Sequence, residues 1–333
     1  MPPVGLLANP MSGKDIRRVI ARASVFDIQE KQNIVRRAIA GAIAGGCREF
    51  VYMPDSYSIV ESAAQEHASQ AKFTAVDFPD TNSALDTIRC AGNLRDAGCG
   101  AVVTLGGDGT NRAFALGWRD VPLIPVSTGT NNVFPRMVEA TVAGAAAGLI
   151  ASGKVPLAEV SGPVKIVVAE IDGERDDLAL IDAVVLNERF VGARAIWEPA
   201  SLRLAVLTRA EPAAIGISSI GGLLEPVHDD DEDGLAVTFG GEETLLAPIA
   251  PGLYLPVAVS GYRRLPAGER LEVQGPCVLA FDGERERVLK PGQRATLRIV
   301  RDGPRVIDVP KTLHYAACRG HFRGGRQEVP HGN

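Results

Sequence analysis

Over its first 152 residues the sequence alternates short apolar runs with longer segments whose apolar residues recur every three or four positions. The runs are VGLLA (4–8), FVYM (50–53), FTAV (73–76), AVVTL (101–105) and PLIPV (122–126). Between the first two, residues 27–44 carry apolar side chains at 34, 35, 38, 39, 42 and 43, the spacing of one helix face. Helices are also expected over 58–69, 81–97, 111–117 and 134–151, the last with Pro135 in its first turn. This alternation admits few folds. Parallel strands need crossovers long enough to hold a helix, and those helices cover the faces of the sheet. An α/β domain built on a parallel sheet is therefore predicted over residues 1–153.

Beyond Pro156 the pattern changes. Short strand-like runs follow at 165–171, 178–187, 202–208, 235–239, 255–260, 270–274, 277–281 and 295–300. Asp-Gly pairs at 172–173, 282–283 and 302–303 lie beside several of them, which reads as hairpins. A mostly antiparallel β domain is predicted over 154–318, and residues 319–333, rich in Gly, Arg and His, read as a flexible tail. The length of 333 residues suits two such domains.

A net charge of −5 and few aromatics argue against a general nucleic-acid or anionic-membrane binder. The longest apolar run, VAGAAAGLIA (142–151), is too short to span a bilayer. No basic, apolar leader opens the chain, and its five cysteines form no CxxC pair. A cytoplasmic protein without disulfides or a zinc site is expected.

In a parallel sheet the loops after the strands lie at the carboxyl edge, where ligands bind. GGDGT (106–110) follows one such strand and precedes a helix. Gly106, Gly107 and Gly109 can adopt positive φ and bring main-chain N–H groups close to an anion. Thr110 is placed to cap the helix, whose N-terminus attracts phosphate, and Asn111 adjoins it. Asp108 is the odd residue. A carboxylate repels phosphate unless it has a proton to accept or Mg2+ to hold. Phosphoryl transfer to a hydroxyl, with Asp108 as its base, fits this pattern; a plain turn with a solvated aspartate is the alternative. Better-known phosphate motifs fail: Arg112 replaces the third glycine of Gly-x-Gly-x-x-Gly, and Ala8 and Asp15 spoil a P-loop around SGK (12–14).

Two further loops are expected at the same edge. Asn9, Ser12, Gly13 and Lys14 follow the first strand, and Lys14 could hold an ATP phosphate as a point charge. Ser127, Thr128, Gly129, Thr130, Asn131 and Asn132 follow the fifth and offer hydroxyls and amides to a ribose or phosphate. The acidic run HDDDEDG (228–234) reads as a solvated loop, because like charges repel and stay exposed.

Taken in order, these motifs resemble those of the NAD kinases and their relatives, the diacylglycerol and sphingosine kinases. The likeness rests on LGGDGT (105–110), NPMSGK (9–14), IPVSTGTNN (124–132), LNE (186–188), SSIGGLLEP (218–226) and FDGE (281–284). NPMSGKDIRR and ASVFDIQEKQN (23–33) are similar to the acetoin-catabolism X branch of that group. The resemblance implies a nucleotide-binding α/β domain of the phosphofructokinase/NAD kinase type, a β-rich second domain and a site between them. It also implies ATP, Mg2+ and transfer of the γ-phosphoryl group to a hydroxyl, which in NAD kinases belongs to NAD. Carried over, Asp108 is the base or positioning carboxylate, and Gly106, Gly107, Gly109 and Thr110 are the phosphate cradle. Asn187 and Glu188 contact the dinucleotide, and Asp282 and Glu284 offer a second carboxylate. Members of the group often assemble as homo-oligomers. One segment departs: LTRAEPAAIGIS (207–218) stands where NAD kinases carry Thr-Pro-Thr-Gly-Ser-Thr. That departure keeps two alternatives open, a lipid or small-polyol kinase and a nucleotide-binding regulator without catalysis.

Overall fold

The computed structural model describes residues 1–12, 27–77, 81, 83–129, 131–188 and 199–323. Gly13, Lys14 and Thr130 lie outside these, as does the tail from residue 324.

The first body runs β1 (Val4–Ala8), α1 (Ile28–Gly45), β2 (Glu49–Tyr52), α2 (Ile59–Gln65), β3 (Lys72–Ala75), α3 (Ala84–Asp96), β4 (Ala101–Gly106), α4 (Asp108–Gly117), β5 (Pro122–Ser127) and α5 (Ala140–Ala151). Strands β1, β4 and β5 are buried along their whole length, as continuous apolar runs covered on both faces should be. Helix α1 starts at Asp27, whose carboxylate accepts the Glu30 N–H, and stops at Gly46, whose φ of 111° takes the left-handed conformation. It packs on α5 at close range: a Cβ at Gly144 would lie 1.9 Å from the Ala38 carbonyl oxygen.

Helix α5 starts at Ala140, not near 134, and is capped by the Glu139 side chain. Residues 133–136 instead fold back along β5 and the start of α4. Val133 and Phe134 donate to Asp108, and Arg136 donates to the Pro125 carbonyl.

The chain continues with α6 (Leu157–Val160), β6 (Ser161–Pro163), β7 (Ile166–Ile171), β8 (Asp177–Ala179), β9 (Asp182–Leu186), β10 (Leu202–Leu207), α7 (Ile217–Leu224), β11 (Gly234–Ala250), β12 (Leu253–Leu265), β13 (Leu271–Gln274), β14 (Cys277–Phe281), β15 (Glu284–Leu289), β16 (Arg294–Val300), β17 (Arg305–Ile307) and α8 (Val309–Cys318), of which β7 to β16 build the second body. Two antiparallel sheets, β12-β11-β10-β9-β14-β15 and β13-β16-β7-β8, enclose a core that includes Val167, Val185, Val206, Phe281 and Leu297. Asp282 (φ 50°) and Gly283 (φ 81°) turn the β14–β15 hairpin with both central residues at positive φ.

The chain then returns to the first body. Its sheet, in order β3-β2-β1-β4-β5-β17-β6, takes β17 parallel to β5, and α8 packs on α5. Sheet membership therefore does not follow the change of sequence character near 153. Asp302-Gly303 is not a hairpin; it leads from β16 of one sheet into β17 of another. The five cysteines are free thiols. Among the described residues no helix is long and apolar enough to cross a membrane.

A carboxylate-lined cleft at the carboxyl edge of the parallel sheet

The loops after β1, β4 and β5 converge, as the parallel order β1-β4-β5 requires. Asn9 Nδ2 donates to Thr110 Oγ1 at 2.8 Å, tying the first loop to the second. Asn111, fully buried, turns inward, accepting from Thr104 Oγ1 at 2.7 Å and donating to the Gly107 carbonyl at 2.8 Å. Asn132 Nδ2 donates to Ser127 Oγ at 2.8 Å, and Ser127 Oγ in turn donates to the Gly129 carbonyl at 2.6 Å. Ser12 Oγ donates to the Asn9 carbonyl at 2.7 Å. Most of the polar side chains expected to meet a ligand thus shape the loops themselves. Thr128 differs: its Oγ1 is buried with no hydrogen-bond partner among the described residues.

The glycines work by close packing and not by positive φ, which none of Gly106, Gly107 and Gly109 adopts. A Cβ at Gly106 would lie 2.6 Å from Thr110 Cβ, one at Gly107 2.9 Å from Asn132 Oδ1, and one at Gly109 3.3 Å from Glu284 Oε1. Thr110 is not the helix cap. Gly107 holds that position, α4 has no side-chain cap, and the Thr110 side chain sits within the first turn. The cap residue Gly107 has no side chain to cover the first turn of α4, which suits an anionic ligand.

Asp108 opens α4 on the wall of a cleft between the two bodies. The cleft encloses about 730 Å³, counting space open to solvent. Asp182 and Asp282 line it from the second body, together with aliphatic residues such as Ile181, Leu202 and Ile215. Asn131 also lines it, and so does the start of α7 at Gly216, Ile217 and Ser218. Like α4, α7 begins at a glycine and has no side-chain cap. Two open helix N-termini thus meet at one cleft.

A family profile described as the ATP-NAD kinase N-terminal domain matches residues 4–155, and one described as the acetoin catabolism protein X C-terminal domain matches residues 165–302. The chain is 41% identical over 336 residues to acetoin catabolism protein X of Cupriavidus necator, covering 96% of this chain and 92% of that protein. The chain belongs to the acetoin catabolism protein X family. Among solved structures it resembles yeast NADH kinase, crystallised with NADH, at a TM-score of 0.54 and 12% identity, over 99% of this chain and 90% of that one. This second likeness shows a shared fold.

In this member of the acetoin catabolism protein X family, Asp282 is a buried carboxylate. Its oxygens accept the N–H groups of Leu180 (2.9 Å), Ile181 (2.7 Å) and Asp182 (3.2 Å). Burial pushes its carboxyl up to about 6, and the nearby Asp108 charge acts the same way, while those amides and Arg112 oppose them. Asn187 and Glu188 do not line the cleft; the Asn187 N–H donates to the Ser201 carbonyl beside Leu202, which does.

Several residues that shape the surroundings of the site carry no local motif. Lys31 is fully buried on α1, and its Nζ donates to the carbonyls of Asn9 (3.1 Å), Pro10 (2.9 Å) and Ser12 (2.6 Å). Arg209, almost fully buried, pairs with Asp229 at 2.5 Å and stands 5.7 Å from the Phe134 ring centroid. The acidic run is therefore not merely solvated. Asp229 also meets Arg136 at 3.4 Å, Asp231 meets Arg264 at 3.1 Å, and Lys165 donates to the His228 and Asp233 carbonyls at 2.9 and 2.7 Å. Burial brings Lys165 down to about 8, with the neighbouring Arg301 charge adding to it. The run stays at the surface, as its like charges require, and basic neighbours offset part of their repulsion.

Proposed function

We propose that this protein transfers the γ-phosphoryl group of ATP to a hydroxyl held in the cleft, and that the acceptor is NAD or NADH. One observation carries the reading. Asp108 stands where the glycine loops of the first body meet the carboxylate wall of the second. The family profile over residues 4–155 and the fold shared with yeast NADH kinase support it.

Each residue has a physical task in this reading. The open first turns of α4 and α7 offer main-chain N–H groups and the positive ends of their dipoles to phosphate oxygens. Lys31 draws three carbonyls of the Asn9–Ser12 loop inward, which turns that loop's shape toward an anion. Asp108, fixed by main-chain amides, orients the acceptor hydroxyl and takes its proton. Positioning does most of the work, since phosphoryl transfer asks little covalent help of a protein. Among the described residues no group of three or more His, Cys, Asp or Glu side chains forms a metal cage, and Mg2+ needs none, since one or two carboxylates, water and substrate phosphates hold it. Mg2+ enters only as the ion that ATP carries, neutralising charge on the transferred group.

A second reading, a nucleotide-binding regulator, draws on the same geometry, because the Asp108 carboxylate already accepts from Val133 and Phe134. The test is a turnover assay with ATP and NAD, NADH, a small polyol or a lipid, run beside calorimetry of nucleotide binding. NADP(H) formation supports the kinase. Binding without turnover to any acceptor favours the regulator and sinks the kinase.

A further inference from the structure

Arg112, the residue that breaks a dinucleotide-binding glycine pattern, spans the two bodies. It leaves α4 one turn after Asp108, and its side chain is 8% exposed. Its Nε donates to the Leu178 carbonyl at 2.7 Å, and its Nη2 donates to Asp177 Oδ1 at 2.6 Å. Its Nη1 lies 3.5 Å from Glu286 Oε1, and the guanidinium stands 5.0 Å from the Phe281 ring centroid. Asp177 is as deeply buried, and its other oxygen accepts Arg287 Nε at 2.9 Å. These contacts fall on the chain that builds the far wall. Phe281 precedes Asp282, and Leu178 leads into the Leu180–Asp182 segment whose amides Asp282 accepts.

We propose that Arg112 is a positioning residue for phosphoryl transfer, a strut that fixes Asp182 and Asp282 across the cleft from Asp108. The proposal rests on the kinase reading of that cleft. Three carboxylates on one cleft repel one another, and a fixed buried cation offsets part of that repulsion. The groups acting on Asp282 are Arg112 and Asp108 from α4 and the main-chain N–H groups of Leu180, Ile181 and Asp182, and the Asp182 carboxylate lines the same cleft. The planar fork of arginine holds a carbonyl and a carboxylate with separate nitrogens in a fixed geometry; lysine supplies a single point charge in its place.

The test uses the full chain with Arg112→Met, Arg112→Lys and Asp177→Asn. Misplacing reacting groups by about 1 Å costs on the order of a hundredfold in rate. Arg112→Met should lower kcat by about that factor with little change in KM for ATP. Arg112→Lys should recover part of the loss. The acid limb of the kcat profile should move to higher pH in Arg112→Met, because Asp282 loses a cation that favours its ionised form. A wild-type kcat with an unmoved acid limb overturns the proposal. Where Arg112→Met does not fold, Asp177→Asn decides: it leaves the Leu178 bond in place, and it too should lower kcat with little change in KM. If the wild-type protein phosphorylates no acceptor, the kinase reading fails by itself. The strut is then read from the carboxyl carbon of Asp282 by NMR titration, where an upward shift in Arg112→Met supports it and an unchanged midpoint overturns it.

Discussion

Phe134 donates its main-chain N–H to Asp108 Oδ1 at 2.8 Å, and Val133 donates to both carboxylate oxygens at 3.1 Å. These residues are about 25 positions apart in sequence. The bonds set the orientation of Asp108 and tie the loop after β5 to the first turn of α4.

Asp108→Asn should fold, because the residue is partly exposed and an amide oxygen can still accept one of those N–H groups. Its turnover with ATP should fall by about a hundred- to ten-thousand-fold, the usual cost of removing a general base. Steady-state kinetics on the purified variant measure this, and a wild-type rate would remove Asp108 from the chemistry.

Lys31→Met leaves the Asn9, Pro10 and Ser12 carbonyls without their buried ammonium donor. Hydrogen bonds to charged groups contribute about 1.5–3 kcal/mol each, with strong non-additivity, so a loss of about 3 kcal/mol is expected by urea denaturation. KM for ATP should rise more than kcat falls, since the variant disturbs the nucleotide loop and not Asp108.

Asp282 predicts a pH dependence of stability. Its folded value, about 6, is raised above its ordinary 3.8. Stability from the protonated form is therefore full below about pH 4 and is lost as pH rises through about 6. A shift of about two units corresponds to roughly 3 kcal/mol. Relative to wild type, Asp282→Asn should gain about that much stability between pH 4 and pH 7. Denaturation curves at unit pH steps would show it, and a constant difference between the two proteins would refute it.

Asp229→Asn removes the close partner of Arg209, whose side chain is 3% exposed, and leaves Glu211 at 3.8 Å as a more distant one. Breaking a fully buried pair costs about 3–5 kcal/mol; here Asp229 is 36% exposed and Glu211 remains, so a smaller loss is expected. Because the Arg209 end is buried, part of the loss should persist in high salt, whereas the contribution of a wholly exposed pair would be screened. Thermal melts at low and high salt separate the two cases.

The features legible in the residues alone are local ones. Apolar periodicity gave the β–α alternation of the first body, Asp282-Gly283 gave a hairpin, and a glycine loop between strand and helix gave the place of Asp108. Each follows from residues a few positions apart, whose conformational preferences act in the unfolded chain as well. The tertiary structure decided which charges are buried and with whom. Arg112 finds Asp177 across 65 positions, and Leu180 finds Asp282 across 102. It also returned β17 to the first sheet and gave the acidic run its basic partners. A buried charge is tolerated only where a distant group arrives to compensate it, and no local pattern records that arrival.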